Sequence, residues 1–452
     1  MAKAKSQFIC QSCGATYSKW VGRCENCDEW NTLVEHVVQA SAGQSSVAKA
    51  AVSGKKIAVE SIQTAKEAAS VPRVSTGIDD IDTVLGGGIV QGSVTLLAGQ
   101  PGIGKSTILL QIAAAVALQK SVLYISGEES SHQVALRAAR LGATDTDKLD
   151  FAASTSANDI AATIQESSYD LVIVDSIQTV SVDELTSAPG TVSQITNSST
   201  VLIRAAKSAG SAMILVGHVT KEGSIAGPKV LEHLVDVVLQ FEGDRYGGFK
   251  VVRAAKNRFG TTSEAAIFEM YKDGLRVVEN PSASLLAERQ SSDGSVVLAT
   301  LEGTRPLLVE IQALVNSTNF GYPKRTASGF DLNRLNVLIA VLERRTKLQL
   351  SDKDIYINVV GGIKLNDQAA DLAVCMAIAS AAAERKIDDK TVVFGEVGLG
   401  GEIRSVIGVE KRVAEAKKLG FTHAIAPKTS ASVPFITPVA DIRTALIDYL
   451  QK

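Results

Sequence analysis

A glycine-rich stretch of eight residues, GQPGIGKS, carries the clearest chemistry in this sequence. It fits the phosphate-binding P-loop pattern, in which glycines let backbone N–H groups surround a polyphosphate, a lysine reaches the β- and γ-phosphates, and a hydroxyl ligates Mg²⁺. An apolar segment, 93–98, precedes it, and a helical pattern that would aim its positive N-terminus at the anion follows. The sequence therefore predicts a site for ATP and Mg²⁺, formed by Gly99, Gln100, Pro101, Gly102, Ile103, Gly104, Lys105, Ser106 and Thr107.

Acidic residues after two further apolar segments would complete such a site. Asp175 ends the segment 170–175, where a carboxylate can hold the Mg²⁺ shell; the alternative is an ordinary strand-end aspartate. Glu128 and Glu129 follow the segment 121–126, and one of them would polarise the attacking water. Acids in the first turn of a helix also suit its dipole, so that alternative stays open, as does the choice between the two glutamates.

The segment 212–217 is a further predicted strand, and the residues after it are placed to respond to a nucleotide. His218 would contact the γ-phosphate, or else be a satisfied polar group at a strand end. The following segment, 221–229, is rich in glycine and basic at both ends. Such a loop suits contact with a phosphate backbone, although a plain solvated loop has the same composition.

Two cations stand in the string KNRFG, after the apolar segment 250–255. Lys256 and Arg258 would neutralise transition-state charge in the site of an adjacent subunit, as such cations do in other nucleotide hydrolases. The alternative is a basic cluster on the surface, and composition does not choose between the two.

Four of the five cysteines lie within the first 27 residues, as the pairs Cys10–Cys13 and Cys24–Cys27. Two such CxxC pairs hold four thiolates at tetrahedral spacing, which predicts a structural Zn²⁺ rather than disulfides or a redox pair. All four ligand positions are then taken by protein, so no position remains for a catalytic water. Cys375 lies alone in an apolar helical stretch and is expected to be a buried small hydrophobe.

The length of 452 residues suggests about two to four domains. The 46 basic and 48 acidic residues nearly balance, so any nucleic-acid site must be a local patch. No apolar run reaches membrane-spanning length and the N-terminus has no apolar signal core, so we expect a cytoplasmic protein without membrane contacts.

Short apolar segments alternate with helical patterns from about residue 74 to 280, which predicts an α/β fold with a mostly parallel sheet. A further pair of segments, near 249–255 and 265–270, is expected to be antiparallel. The predicted organisation is a four-cysteine zinc finger at 1–35, a linker at 36–71, the ATPase core at 72–281 and a second α/β domain at 282–452.

These strings together resemble the bacterial RadA/Sms family of DNA-repair proteins. The resemblance rests on the two CxxC pairs with Lys19, Trp20 and Trp30 beside them, on the P-loop, and on KNRFG. It covers essentially the whole chain. It implies a RecA-like ATPase core joined to a Lon-protease-like domain, and a homo-oligomeric ring that is a hexamer.

The same resemblance implies a DNA-dependent ATPase that acts as a DnaB-like helicase. Its partners would be single-stranded and branched DNA and the RecA recombinase, and it would promote branch migration of recombination intermediates. The resemblance also places a role in the neighbouring subunit's site on Lys256 and Arg258, and a DNA-binding loop that faces the ring's interior at 221–229.

Lon peptidases use a Ser–Lys dyad, in which the lysine deprotonates the serine. The position that aligns with the serine is Ala369, and Lys411 falls near the dyad lysine. We therefore expect no peptidase activity, and a scaffold for assembly and DNA contact instead. The candidate phosphate contacts in this domain are Lys324, Arg325, Arg344, Arg345 and Lys364.

The leading functional hypothesis is a motor, in which ATP hydrolysis at subunit interfaces moves basic loops along single-stranded DNA. An alternative is an ATP-gated DNA-binding ring that loads or stabilises recombination factors without unwinding. A third hypothesis, an ATP-dependent protease, is disfavoured by Ala369.

Overall fold

The structure is a computed structural model that describes residues 5–10, 15–26, 29–38, 72–143, 146–218, 230–243, 248–318, 321–428 and 433–450. Cys13, Cys27, the segment 221–229 and the predicted linker from residue 39 onward lie outside these ranges. The described residues fall into two compact units. The first lies within Met1–Pro101, Lys105–Leu239 and Ala255–Gly260, and the second within Gly102–Gly104, Gln240–Ala254 and Thr261–Lys452. Among the described residues, no helix is long and apolar enough to cross a membrane.

The N-terminal module, residues 5–38, is a small antiparallel sheet within the first unit. Its strands are β1 (Lys5–Cys10), β2 (Thr16–Tyr17) and β3 (Leu33–Val38), in the order β2-β1-β3. The backbone N–H groups of Cys10 and Cys24 donate to the carbonyls of Ala15 and Glu29, at 2.8 and 2.9 Å. The buried cluster consists of these two cysteines and Leu33, which is too small to stabilise a fold without a cross-link.

The rest of the first unit alternates strands with helices. A two-residue antiparallel pair, β4 (Arg73–Val74) and β5 (Ile89–Val90), encloses α1 (Asp79–Leu85). The following elements are β6 (Val94–Gly99), α2 (Lys105–Ala117), β7 (Val122–Ser126), α3 (Ser131–Arg140), β8 (Leu149–Ala153), α4 (Ala157–Glu166), β9 (Leu171–Asp175), α5 (Val192–Ala209), β10 (Ala212–His218), α6 (Val230–Leu234) and β11 (Val237–Gly243).

Five of these strands form a parallel array in the order β6-β10-β9-β7-β8. The four inner strands are buried almost throughout, because helices that connect parallel strands cover both faces of the sheet. The sequence predicts each of those four to within one residue of its ends. It does not predict β8, an edge strand whose residues are half-buried or exposed and so lack an apolar run.

The second unit contains most of an antiparallel meander and, separate from it, a mixed sheet. Strand β12 (Lys250–Asn257) pairs antiparallel with β13 (Ala265–Tyr271), as predicted. Strand β13 also pairs antiparallel with β14 (Gly274–Val277), which the sequence does not predict. The remaining elements are α7 (Pro281–Leu286), β15 (Ser295–Glu302), β16 (Arg305–Ser317), β17 (Arg325–Ser328), α8 (Leu332–Thr346), β18 (Lys353–Val359), α9 (Ala370–Ala383), β19 (Thr391–Val393), β20 (Glu396–Val397), β21 (Ile403–Arg404), α10 (Val409–Lys418), β22 (His423–Pro427), β23 (Ile436–Val439) and α11 (Ile442–Leu450).

Helix α9 lies at the centre of the second unit's core. The strands there run in the order β17-β18-β16-β15-β19-β22-β23, and α9 is buried from Ala370 to Ser380, where all residues except Asp371 and Ser380 are apolar. Cys375 is completely buried in it, and burial raises the pKa of its thiol well above the ordinary range. The cysteine is therefore the inert core residue that the sequence predicts.

Candidate nucleotide site

The predicted P-loop connects β6 to α2. Gly102 and Gly104 have φ angles of 77° and 117°, which residues with a side chain adopt only under strain. Helix α2 begins at Lys105, directly after the second of these glycines. The turn thus requires glycine at both positions, and the helix N-terminus follows it as the pattern demands.

Lys105 is buried and turned back onto its own loop. Its Nζ donates to the carbonyls of Gly99 and Gln100, at 2.8 and 3.0 Å, and lies 3.1 Å from Nδ1 of His218. Burial lowers the pKa of this amine to about 8, although the charges of Asp175 and Glu128 oppose the shift. An ammonium group has only donors, so the imidazole accepts at Nδ1. Burial, and then the charge of Lys105, lower the pKa of His218, in keeping with a neutral ring.

The carboxyl ends of four neighbouring strands bring the predicted residues together. His218, at the end of β10, stands beside Gly99, at the end of β6. Asp175, at the end of β9, stands beside Ser126, at the end of β7. Ligands of open α/β sheets bind along this edge, because the loops that leave it are free to surround them.

Tyr124, on β7, holds the carboxylate of Asp175. Its hydroxyl donates to Oδ2 of Asp175 at 2.7 Å, and the residue is only 2% exposed. Burial, together with the charge of Asp175, raises the pKa of Tyr124 well above its ordinary value, so the phenol stays protonated as a donor. The orientation of Asp175 is therefore set by a buried group, which sequence reasoning missed. The only signal was one aromatic ring with a hydroxyl group within the apolar run 122–125.

The two glutamates after β7 are turned to different partners. Glu128 accepts a hydrogen bond from Oγ of Ser176 at 2.6 Å, and its Oε1 lies 3.7 Å from Nε2 of His218. Glu129 instead pairs with Arg137 of α3. Glu128 thus lies with the nucleotide-site residues, and Glu129 is engaged on the neighbouring helix.

Neither glutamate lies in the first turn of a helix, contrary to the dipole alternative. Helix α3 begins at Ser131, and Ser130 caps it through a capping box with Gln133. The helix N-terminus is thereby already satisfied by a serine and a glutamine. Glu128 and Glu129 precede the cap.

Lys256 and Arg258 lie near the opposite ends of the parallel strands, away from the P-loop. Nη1 of Arg258 is 3.2 Å from Oδ1 of Asp236, whose other carboxylate oxygen accepts from the N–H of Val94 at the start of β6. The P-loop follows the other end of that six-residue strand, about 17 Å away at the usual rise of ~3.3 Å per residue. Nζ of Lys256 donates to the carbonyls of Glu232 and Val235, at 2.5 and 2.8 Å. The structure therefore does not bring either cation to the P-loop of its own subunit.

The end of the KNRFG string packs against the turn after α1. A Cβ on Gly260 would come within 3.0 Å of Cα of Gly86, so the two backbones touch where only glycine fits. Nη2 of Arg73 donates to the carbonyl of Phe259 at 3.0 Å. This string therefore has a fixed place in the fold.

Cys10 and Cys24 are buried, and the backbone N–H of each donates to the carbonyl five residues later, at Ala15 and Glu29. Their Sγ atoms lie 3.2 and 3.3 Å from the hydroxyls of Thr32 and Tyr17. Cys13 and Cys27 lie outside the described residues, within which no group of three or more metal-ligating side chains occurs. Two buried thiols with hydroxyl groups beside them fit a thiolate-ligated metal.

The predicted dyad positions of the C-terminal domain have different surroundings. Ala369 is completely buried before α9, whereas Lys411 is exposed and its Nζ donates to the carbonyl of Thr304 at 3.2 Å. The neighbouring residues Asp367 and Arg412 form a buried ion pair at 2.7 Å. The predicted phosphate contacts of this domain are exposed at Lys324, Arg344, Arg345 and Lys364 and half-buried at Arg325.

Three protein families match successive parts of the chain. Residues 64–224 match an AAA domain, residues 8–35 match a rubredoxin metal-binding domain, and residues 333–430 match subunit ChlI of Mg-chelatase. The predicted fold class is thereby confirmed as a P-loop ATPase core with an N-terminal zinc-ribbon module and a C-terminal α/β domain. The match within that last domain is to ChlI, and its Lon-like type stays a prediction. The KaiC-like protein PH0186 of Pyrococcus horikoshii OT3 is 21% identical and covers 46% of this chain and 99% of its own, with a TM-score of 0.39.

Similarity to curated relatives extends over nearly the whole chain. The DNA repair protein RadA of Bacillus subtilis (strain 168) is 49% identical over 432 residues, which are 94% of this chain and 93% of that protein. The DNA repair protein RadA of Pseudomonas aeruginosa is 47% identical, over 95% of this chain and 94% of its own. Identity at this level over almost full length confirms the predicted resemblance. The chain belongs to the RadA family of DNA repair proteins.

Proposed function

We propose that the protein is an ATP-dependent DNA motor, a homo-oligomeric and hexameric ring that acts as a DnaB-like helicase. It would promote branch migration of recombination intermediates, on single-stranded and branched DNA and alongside the RecA recombinase. One observation carries the ATPase part of this proposal: Lys105, Glu128, Asp175 and His218 converge at the carboxyl edge of the parallel sheet. Membership in a family of DNA repair proteins supports the DNA part.

Each group at this edge has a role that its position permits. Lys105 would exchange its two carbonyls and His218 for the β- and γ-phosphates. Ser106 and Asp175 would hold Mg²⁺, which neutralises phosphate charge when bound, with Tyr124 keeping Asp175 in orientation. Glu128 would orient the attacking water.

His218 would sense the γ-phosphate, because it touches both Lys105 and Glu128 and is the last residue before the segment that contains 221–229. That segment would be the DNA-binding loop. A bound nucleotide that displaces Lys105 would remove the contact between Lys105 and His218, and His218 immediately precedes the proposed DNA-binding loop. This adjacency is the physical basis for coupling ATP to DNA.

The other modules would serve assembly. Cys10, Cys13, Cys24 and Cys27 would hold a structural Zn²⁺ in the N-terminal module, whose small buried cluster needs such a cross-link. The C-terminal domain would be a Lon-like scaffold without peptidase activity, because buried Ala369 offers no nucleophile to Lys411.

The affinity for ATP should fall as the pH rises above about 8. Burial lowers the pKa of Lys105 to about 8 in the nucleotide-free protein, whereas phosphates beside the amine would raise it. The complex then holds more protons than its separate components, so linkage weakens binding by up to about tenfold per pH unit above that value. His218 does not titrate there, because its pKa is lowered from an ordinary value of 6.5.

Equilibrium binding of a fluorescent ATP analogue at about pH 7 and about pH 9 measures this effect. Lys105→Arg is the matched control, because a guanidinium keeps its charge throughout that interval and should give a flat profile. A flat profile for the unaltered protein would contradict the expected deprotonation of Lys105.

ATP turnover with and without single-stranded DNA tests the proposed function. We expect DNA to stimulate turnover, Lys105→Ala to abolish it, and the unaltered protein to unwind a branched substrate in the presence of ATP. Turnover that ignores DNA would contradict the motor. ATP-dependent DNA binding without any unwinding would favour the ATP-gated ring that loads or stabilises recombination factors.

A further inference from the structure

The two tryptophans of this chain are both exposed, and both lie in the N-terminal module. Trp20 is 55% and Trp30 is 67% exposed, and neither belongs to the module's buried cluster. Among the side chains that the structure describes in this module, they are the only large apolar ones that are exposed. Two large aromatic rings exposed at one place on a small module form the kind of surface that marks a binding site.

The two indoles converge on a position that lacks a side chain. A Cβ on Gly22 would lie 3.6 Å from Cη2 of Trp20 and 3.8 Å from Cζ3 of Trp30. The ring edges thus flank the same point of the backbone. A larger residue at position 22 would fill the space between them.

Cations stand beside this pair of rings. The guanidinium of Arg23 lies 5.9 Å from the centre of the Trp30 ring, and Lys19 is exposed next to Trp20. Proteins that bind single-stranded nucleic acid present exposed aromatic rings with cations beside them. Any base can stack on such a ring, and the cations contact the phosphates. Glu25 and Glu29 are also exposed in this module. These acids offset the cations, so stacking rather than charge must supply most of the binding.

The size of the surface disfavours a protein partner. A stable protein–protein interface buries about 800 Å² on each side around an apolar centre. Here the apolar part consists of two rings edged by charges of both signs, which matches one or two bases.

The module also contacts the ATPase core, since Nδ2 of Asn197 on α5 donates to the carbonyl of Glu35 at 3.4 Å.

We propose that Trp20 and Trp30 form a stacking site for unpaired bases of single-stranded DNA, distinct from the predicted loop 221–229. The proposal rests on the proposed function in that DNA is the substrate. It adds a second contact, made by base stacking, on the N-terminal module rather than on the loop or the C-terminal domain.

Tryptophan fluorescence of the full-length protein tests it directly, because all indole emission comes from this site. An oligothymidylate should quench the emission saturably, whereas an abasic oligonucleotide of equal length and a blunt duplex should not. Trp20→Leu and Trp30→Leu should each weaken binding of the oligothymidylate by about tenfold, with the salt dependence of binding unchanged. Trp20→Phe and Trp30→Phe should recover most of the affinity, since phenyl rings also stack.

The remaining indole of each single variant reports whether the module is still folded, and bound zinc provides a second check. Equal quenching by the abasic strand would overturn the proposal in favour of phosphate contacts. Quenching by the RecA recombinase but not by DNA would overturn it in favour of protein docking. If DNA stimulates ATP turnover but does not quench the fluorescence, the stacking site is refuted and the proposed function is not. If DNA does not stimulate ATP turnover of the unaltered protein, the proposed function itself is contradicted.

Discussion

Replacing Glu128 with glutamine should lower the ATP turnover number by roughly 10²- to 10³-fold while nucleotide affinity stays nearly unchanged. The carboxylate accepts from Ser176 and lies 3.7 Å from His218, which in turn touches Lys105. Glutamine preserves the size of the side chain and its acceptor oxygen, but it removes the charge that would polarise the attacking water. The loss should therefore appear in the turnover number and leave binding of a fluorescent ATP analogue intact.

Glu129→Gln is the matched control, since it makes the same chemical change one residue away. Glu129 pairs with Arg137 of α3, and the loss of a partly exposed ion pair should change turnover by about twofold at most. Steady-state ATP hydrolysis of both variants, with and without DNA, distinguishes the two positions. A larger loss in Glu129→Gln than in Glu128→Gln would reverse the assignment of the water-orienting group.

The sequence predicts which residues of the candidate nucleotide site lie together where this follows from the chain order. His218 and Asp175 each end an apolar run, and the carboxyl ends of parallel strands meet at one edge, so their convergence with the P-loop is expected before any coordinates. Strand β8 escapes prediction because an edge strand with half-exposed residues has no apolar run. The buried inner strands can therefore be predicted from their apolar runs, whereas the edge strand β8 cannot.

Side-chain direction is the part that the sequence does not contain. Glu128 and Glu129 are identical neighbours, and only the turn before α3 directs one toward Ser176 and the other toward Arg137. The role of Tyr124 likewise depends on the register of β7 beside β9, which places its hydroxyl against Asp175. The pairing of β7 with β9 joins residues about 50 positions apart in the chain, so no local pattern reports it.

The position of Arg258 is also a product of pairing rather than of local sequence. The chain order shows only that KNRFG ends a strand. The contact of Arg258 with Asp236, which is itself bonded to Val94 at the start of β6, assigns that strand end to the edge away from the P-loop. Any role of this cation in hydrolysis must therefore be exerted on another subunit.

Replacing Arg258 with alanine should lower ATP turnover by about 10³-fold without loss of nucleotide binding, the size expected when a cation that stabilises the transition state in trans is removed. Its side chain is 58% exposed, so it can leave Asp236 for a neighbouring site. Lys256, by contrast, is held by the carbonyls of Glu232 and Val235. We therefore expect Lys256→Ala to lower turnover together with thermal stability, and Arg258→Ala to lower turnover alone.

Lys207→Ala controls for the contact with Asp236. Nζ of Lys207 lies 3.6 Å from the same carboxylate, so this variant also removes a cation from Asp236 but leaves KNRFG intact. We expect it to keep turnover within about twofold of the unaltered protein, as for other exposed ion pairs. Equal losses in Lys207→Ala and Arg258→Ala would show that Arg258 acts only by stabilising Asp236.

Mixed oligomers decide whether the effect crosses a subunit interface. In a head-to-tail ring of Lys105→Ala and Arg258→Ala subunits in equal amounts, about a quarter of the interfaces pair an intact P-loop with an intact arginine. Two variants that are inactive alone should then recover up to about a quarter of the turnover when they are mixed and reassembled. A cation that served its own subunit would permit no recovery, because every subunit of the mixture carries one of the two defects. Recovery on mixing therefore follows only from a site completed by the neighbouring subunit.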